Sequence, residues 1–211
     1  VTGNPVIKNI PANPAPQANP SSSGYPPPPP QESAPTPNAT RLGRALAALR
    51  IFVGVILFAN GLAKVFGFAQ IKIGAFAANL IDRDSVKFIL DFEVNKNPAN
   101  GGPGTRLPLL PSLVNDILLP NIDVFSWLLA IFELVVGLLL IVGLVSRGAG
   151  LLALLYSLGL ALIYFSSDRF LFEQPHEYVP AAILALVPSG LVWGLDRRLP
   201  LERARQGRWP F

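Results

Sequence analysis

The chain has 211 residues, 51% of them hydrophobic and 14% charged, with a formal net charge of +4. It contains no cysteine, no methionine and a single histidine, His176. These absences exclude a disulfide scaffold, a thiolate metal site and haem ligation by Met or by two His from this chain. The apolar content is too high for a soluble domain of this size.

The first 40 residues differ from the rest. They hold 12 of the 22 prolines, including the run Pro26–Pro30, among Ser, Asn, Gln and Ala. Such a segment cannot bury enough apolar area to order itself and is expected to be extended, partly polyproline II. It is read as a cytoplasmic tail that orders by lying along larger partner subunits. With no Met, Val1 is no ordinary initiator, and either a non-standard start or a removed upstream segment is expected.

Residues 41–198 are read as an all-α membrane domain. Four apolar stretches, Leu49–Phe68, Val124–Val145, Gly148–Ser167 and Tyr178–Leu195, each match the roughly 20 residues a helix needs to cross a bilayer. Pro188 is expected to kink the fourth. The first stretch lies too deep in the chain to be a cleaved signal peptide, and without cysteine no lipid-modified N-terminus is expected. Residues 199–211 form a basic tail suited to anionic head groups.

With four spans, the side holding both tails and the turn at Ser146–Arg147 carries 10 Lys/Arg against 3 acids. The opposite side carries 6 Lys/Arg against 9 acids, with Lys64 and Glu133 set apart as lying within spans. The positive-inside rule therefore puts both termini in the cytoplasm. The positive charge is a topology signal. It is no nucleic-acid footprint, because no folded basic face is available to hold phosphates.

Between the first two spans lies an outer loop, residues 69–123, long enough that part of it should be folded. Asp82–Leu90 is expected to be a short interfacial helix, the stretch from Pro98 to Gly104 a turn-rich break, and Pro111–Leu119 a second short helix ending before Pro120. The loop is read as a lid on the bundle, with a docking surface as the functional alternative.

Polar groups inside the spans carry the chemical information. Lys64 and Glu133 fall at similar depth in the first and second helices, about 7 Å apart along the membrane normal by helix rise. Each needs a partner there, because an ionisable group at membrane depth costs a few kcal/mol. Asn60, one turn before Lys64 on the same face, is a candidate third member of the network. Gly61 and Gly137 would allow near approach of helices or of a ligand. Pairing alone satisfies Lys64 and Glu133; the alternative is a polar niche that binds a quinone head group or relays a proton. Tyr156 and Ser157 read as helix-packing residues. His176, beside Glu173 and Glu177, reads as a solvated loop residue that would need further ligands to hold a metal. No Gly-rich phosphate loop, Ser/His/Asp arrangement or zinc-protease motif is present.

The run from Leu49 to Gly54 (LRIFVG) and that from Asn60 to Phe66 (NGLAKVF) resemble the first helix of the DoxX-like membrane proteins. The run from Phe132 to Arg147 (FELVVGLLLIVGLVSR) resembles their second helix and the basic turn after it. The run from Gly190 to Arg197 (GLVWGLDR) is similar to the end of their fourth helix. The likeness covers about residues 45–198 and leaves out the Pro-rich tail and most of the outer loop. It implies a four-transmembrane-helix bundle in a bacterial cytoplasmic membrane. It also implies a link to quinone-dependent redox chemistry, since DoxD-type relatives are subunits of a thiosulfate:quinone oxidoreductase. The lack of cysteine argues against sulfur chemistry by this chain. Two functional readings follow. One is a non-catalytic accessory subunit of a larger energy-converting complex, contacting partner subunits and lipid and shaping a quinone or lipid niche, with no covalent or metal-bound cofactor. The other is an oxidoreductase subunit in which Lys64, Glu133 and Asn60 bind quinone. A small transporter has little support, because the sequence has no internal repeat.

Overall fold

The computed structural model describes residues 37–97, 99, 101–167 and 175–198. The Pro-rich tail up to residue 36, the basic tail from residue 199 and Asp168–Gln174, which includes Glu173, lie outside the described residues, together with the roles expected of them.

The chain is mostly helical. Helix α1 runs from Pro37 to Phe66, α2 from Arg83 to Val94, and α3 from Leu110 to Ser112. Helix α4 runs from Ile122 to Val142, α5 from Ser146 to Ile163 and α6 from Pro175 to Leu186. Three segments, Asn38–Phe66, Ile122–Val142 and Ser146–Ile163, are long and apolar enough to cross a membrane. Their outward residues, among them Phe52, Val55, Ile131, Leu138 and Leu155, are exposed, as lipid contact requires. Helix α1 has 30 residues, about 45 Å at helical rise and so longer than the hydrocarbon core. The apolar run predicted from Leu49 is only its inner part; the turns before it carry exposed Arg41 and Arg44.

Helices α1 and α4 pack antiparallel with their backbones in close approach. A Cβ on Gly137 would stand 2.6 Å from the Phe58 amide nitrogen, and one on Gly54 2.8 Å from the Gly137 carbonyl. A Cβ on Gly61 would meet the Leu134 side chain and amide at 2.8 and 2.9 Å. Glycine is therefore required for this spacing, as in small-residue membrane interfaces. Gly143, in the left-handed conformation, ends α4, and a two-residue step leads into α5. Helix α6 then packs on α5, where Gly150 lies against Leu184 and Ala185. A core of Leu57, Val136, Leu140, Ala149, Ala153, Ala181 and Leu184 fills the space between these helices.

The fourth apolar stretch is not one continuous helix. Helix α6 has 12 residues and stops at Leu186; Pro188 follows, then short 3₁₀ turns at Ser189–Leu191 and Leu195–Arg198. Pro188 supplies no amide hydrogen and disfavours helical backbone in the residue before it, so the helix ends here where a kink was expected.

The segment between α1 and α4 is folded through much of its length. Strands β1 (Gln70–Ile73) and β2 (Phe76–Asn79) form an antiparallel hairpin turned by Gly74 at φ +60°. Helix α2 begins at the expected place but extends to Val94; Asp82 caps it, its carboxylate accepting from the Ser85 amide at 2.8 Å. The turn-rich break forms a second hairpin, β3 (Lys96–Asn97) with β4 (Gly102–Pro103). Helix α3 continues into a wide helical segment, Leu113–Leu118, where the Leu119 amide donates to Val114 O five residues back. Val86, Leu90 and Val94 of α2 pack with Leu110 and Val114 into a satellite core over the bundle end.

Three substitutions test this packing and the cap of α2. Gly137→Ala should destabilise the protein in detergent by roughly 1–3 kcal/mol through overpacking. Gly159→Ala on α5, where an added Cβ meets nothing within 4 Å, should cost nothing and gain up to about 1 kcal/mol of helix preference; thermal melts compare the two. Asp82→Ala should speed amide exchange in α2 by about fivefold, the equivalent of a cap worth about 1 kcal/mol. The bonds from the Ser85 side chain and backbone hold the Asp82 carboxyl below the ordinary carboxylate range. The cap is thus fully present above the unfolded-state pKa and lost as pH falls through the lower folded one, so the difference from the variant should vanish in acid.

Candidate functional site

Three side chains from three helices meet in the interior. Lys64 of α1 places Nζ 2.8 Å from Oε2 and 3.0 Å from Oε1 of Glu133 on α4. The Tyr156 hydroxyl of α5 donates to Glu133 Oε1 at 2.5 Å. Lys64 and Glu133 are 0% and 1% exposed, so neither charge lies on the protein surface. Each element supplies its residue for a local reason. Gly61 and Gly137 let α1 and α4 approach closely enough for the lysine stem to reach across. The Phe132 ring, with its centroid 5.7 Å from that of Tyr156, holds the phenol towards the carboxylate.

Asn60 lies near this network but does not complete it. Its side-chain amide donates to Ile56 O of its own helix at 3.0 Å, and its oxygen accepts from the Ile81 amide at 3.0 Å. Asn60 thereby ties the exit of the first hairpin to α1. A polar residue one turn before Lys64 shares its face, but backbone groups nearer to hand took its hydrogen bonds. Tyr156, read from the sequence as a residue of packing and helix–helix hydrogen bonds, takes the third place.

Two cavities adjoin the network. The first, about 230 Å³, is lined by Lys64, Tyr156 and Tyr164 and otherwise by apolar side chains including Ile81, Leu90, Phe125 and Ile163. The second, about 380 Å³, is lined by Glu133, Asn60, Tyr156 and Ser157, with His176 and Glu177 of α6 among its further residues. His176 therefore lies in the first turn of a helix, exposed, on a cavity that also reaches Glu133. Among the described residues no cluster of three or more His, Asp or Glu is placed to hold a metal ion.

A second buried charge cluster lies at the other end of the bundle. Arg50 of α1 is 0% exposed and Asp196 is 1% exposed. The Asp196 carboxylate accepts from the Val145 and Ser146 amides at 2.5 and 2.9 Å, capping α5, while its own amide donates to Gly143 O. Ser146 Oγ accepts from the Gly190 amide at 3.0 Å. Arg50 Nη2 donates to Trp193 O at 3.1 Å; a Cβ at Gly143 or Gly194 would collide with Nη1. Val145 and Trp193, at φ +50° and +53°, are the two described non-glycine residues with positive φ, and both sit in this clasp. In the sequence Arg50 and Asp196 look like solvated charges flanking apolar runs. Only their 146-residue separation closing in space shows otherwise.

Comparison with known proteins gives no further assignment: no family model, no curated protein and no solved structure matches this chain.

Removing one partner of the buried pair leaves the other uncompensated. Lys64→Ala or Glu133→Ala should each cost about 3–5 kcal/mol of stability, whereas Lys64→Met and Glu133→Leu combined with Tyr156→Phe, which removes the phenol left without its acceptor, should lie close to the parent protein. Tyr156→Phe, which removes a hydrogen bond to a charged group, should cost about 1.5–3 kcal/mol. Chemical denaturation in detergent micelles measures all four.

Proposed function

We propose that this chain is a non-catalytic accessory subunit of a larger bacterial energy-converting membrane complex, holding a lipid-soluble molecule at the Lys64–Glu133–Tyr156 niche. In this reading α1, α4, α5 and the broken fourth segment from Pro175 to Arg198 make a four-span DoxX-like bundle with both termini in the cytoplasm. The observation that carries it is the pairing of an ammonium, a carboxylate and a phenol at the wall of two cavities. A fully paired charge network favours holding and positioning over reaction. The first cavity suits a quinone or lipid head group: its charged wall group is the Lys64 ammonium, a donor for a carbonyl or ester oxygen, and its remaining wall is largely apolar. Its partners are the membrane-embedded and cytoplasmic subunits of that complex, together with lipid.

A second reading, a quinone-reducing oxidoreductase subunit, draws on one observation: the Tyr156–Glu133 hydrogen bond sets a protonated phenol against a carboxylate beside the same cavity. Mild extraction from native membranes separates the readings. The accessory subunit should purify only with a multi-subunit complex. Lys64→Ala/Glu133→Ala should reduce its recovery in that complex severalfold while turnover per assembled complex stays unchanged. Isolation of the chain alone with quinone reductase activity would overturn the accessory reading.

A further inference from the structure

The Lys64–Glu133 pair divides its charges between the two cavities. Lys64 lines the first and Glu133 the second. The second cavity is the more polar, and it extends from a buried carboxylate, 1% exposed, to His176, an exposed side chain in the first turn of α6. At about 380 Å³ it has room for several waters, each with a share of about 30 Å³ in the liquid. Asn60, Ser157, Tyr156 and the two carboxylates give those waters the polar partners they need. An ionised carboxylate at membrane depth is stabilised by contact with such water as well as by its counter-ion.

We propose that this second cavity is a water-filled vestibule, opening on the side of the membrane that carries the two hairpins and α2, through which Glu133 and Tyr156 exchange protons with solution. The titratable and charged groups facing Glu133 are Lys64 from α1 and Tyr156 from α5, with His176 and Glu177 from α6 and Tyr164 after α5 lining the same space. Glu93 of α2 acts on Tyr164. His176 and Glu177 at the mouth are proton carriers between solution and the interior. The inference rests on the network being a niche in a membrane bundle. It does not depend on which complex holds the chain.

Absence of cysteine makes the test direct, since every thiol is an introduced one. The full chain carrying Ser157→Cys is reconstituted in vesicles and treated with a small, membrane-impermeant cationic thiol reagent from either side. Asp91→Cys, exposed on α2, reports the loop side, and Ala149→Cys, in the packed core, reports the closed interior. Ser157→Cys should react roughly tenfold faster than Ala149→Cys, and from the same side as Asp91→Cys. Adding Glu133→Gln should lower the Ser157→Cys rate with this cationic reagent severalfold relative to the rate with an anionic one at neutral pH, because the vestibule wall loses a negative charge. Val53→Cys, half-buried on the same cavity, gives the same readout should Ser157→Cys not fold. A Ser157→Cys rate no higher than that of Ala149→Cys overturns the vestibule, as does modification from the opposite side. A ratio of those two rates indifferent to Glu133→Gln overturns the contact between vestibule water and the carboxylate. Failure of the chain to purify with a complex would leave all these outcomes intact and bear on the accessory reading alone.

Discussion

A lysine and a glutamate on different helices must find one another inside an apolar bundle. Lys64 and Glu133 are both buried among apolar helices, so the contact between them sets which faces of α1 and α4 meet and at what level. A slip of one helical turn, about 5.4 Å, would separate the charges and strand both. The gain is in register more than in net energy, because desolvating two ions offsets much of their attraction. Tyr156 extends the same constraint to α5, so three helices are keyed to one carboxylate.

Close approach of the backbones is the condition for that contact. Gly54 and Gly61 on α1 and Gly137 on α4 remove the side chains that would hold the axes apart. In lipid, packing of this kind substitutes for the hydrophobic driving force that is missing between membrane helices. Small residues and charges therefore act together: the glycines bring the helices near, and the ion pair selects one of the alignments that near packing allows.

The apolar runs of α1, α4 and α5 are legible in the sequence because length and composition alone mark them, and Lys64 and Glu133 stand out because ionisable residues are rare in such runs. The other features depend on distance in space. Tyr156 is an ordinary aromatic in an apolar helix until α4 is set beside it. Arg50 and Asp196 lie at the ends of apolar runs, where charges are usually solvated. Pro188 signals a disturbance without saying whether the helix bends or stops; the turns after it are decided by Gly190 and Gly194, which admit Asp196 and Arg50 beneath the backbone. The hairpins between α1 and α4 are short, and the first carries Ile73 and Phe76 exposed at its tip, so no period-two burial pattern marks it.

The clasp around Asp196 bears on how the chain comes to be made. The α4–α5 turn holds Val145 in a conformation that a β-branched residue avoids, and the bonds that satisfy its amide come from a carboxylate 51 positions further on. Until Asp196 has been synthesised, that turn and the buried guanidinium of Arg50 have no acidic partner from the C-terminal segment. Closure at this end of the bundle therefore belongs to the last stage of biogenesis, after the three long helices already exist. A chain truncated before Asp196 would present the membrane insertion and quality-control machinery with an uncapped α5 and an arginine without its acidic neighbour, a mark of incompleteness written into the order of translation.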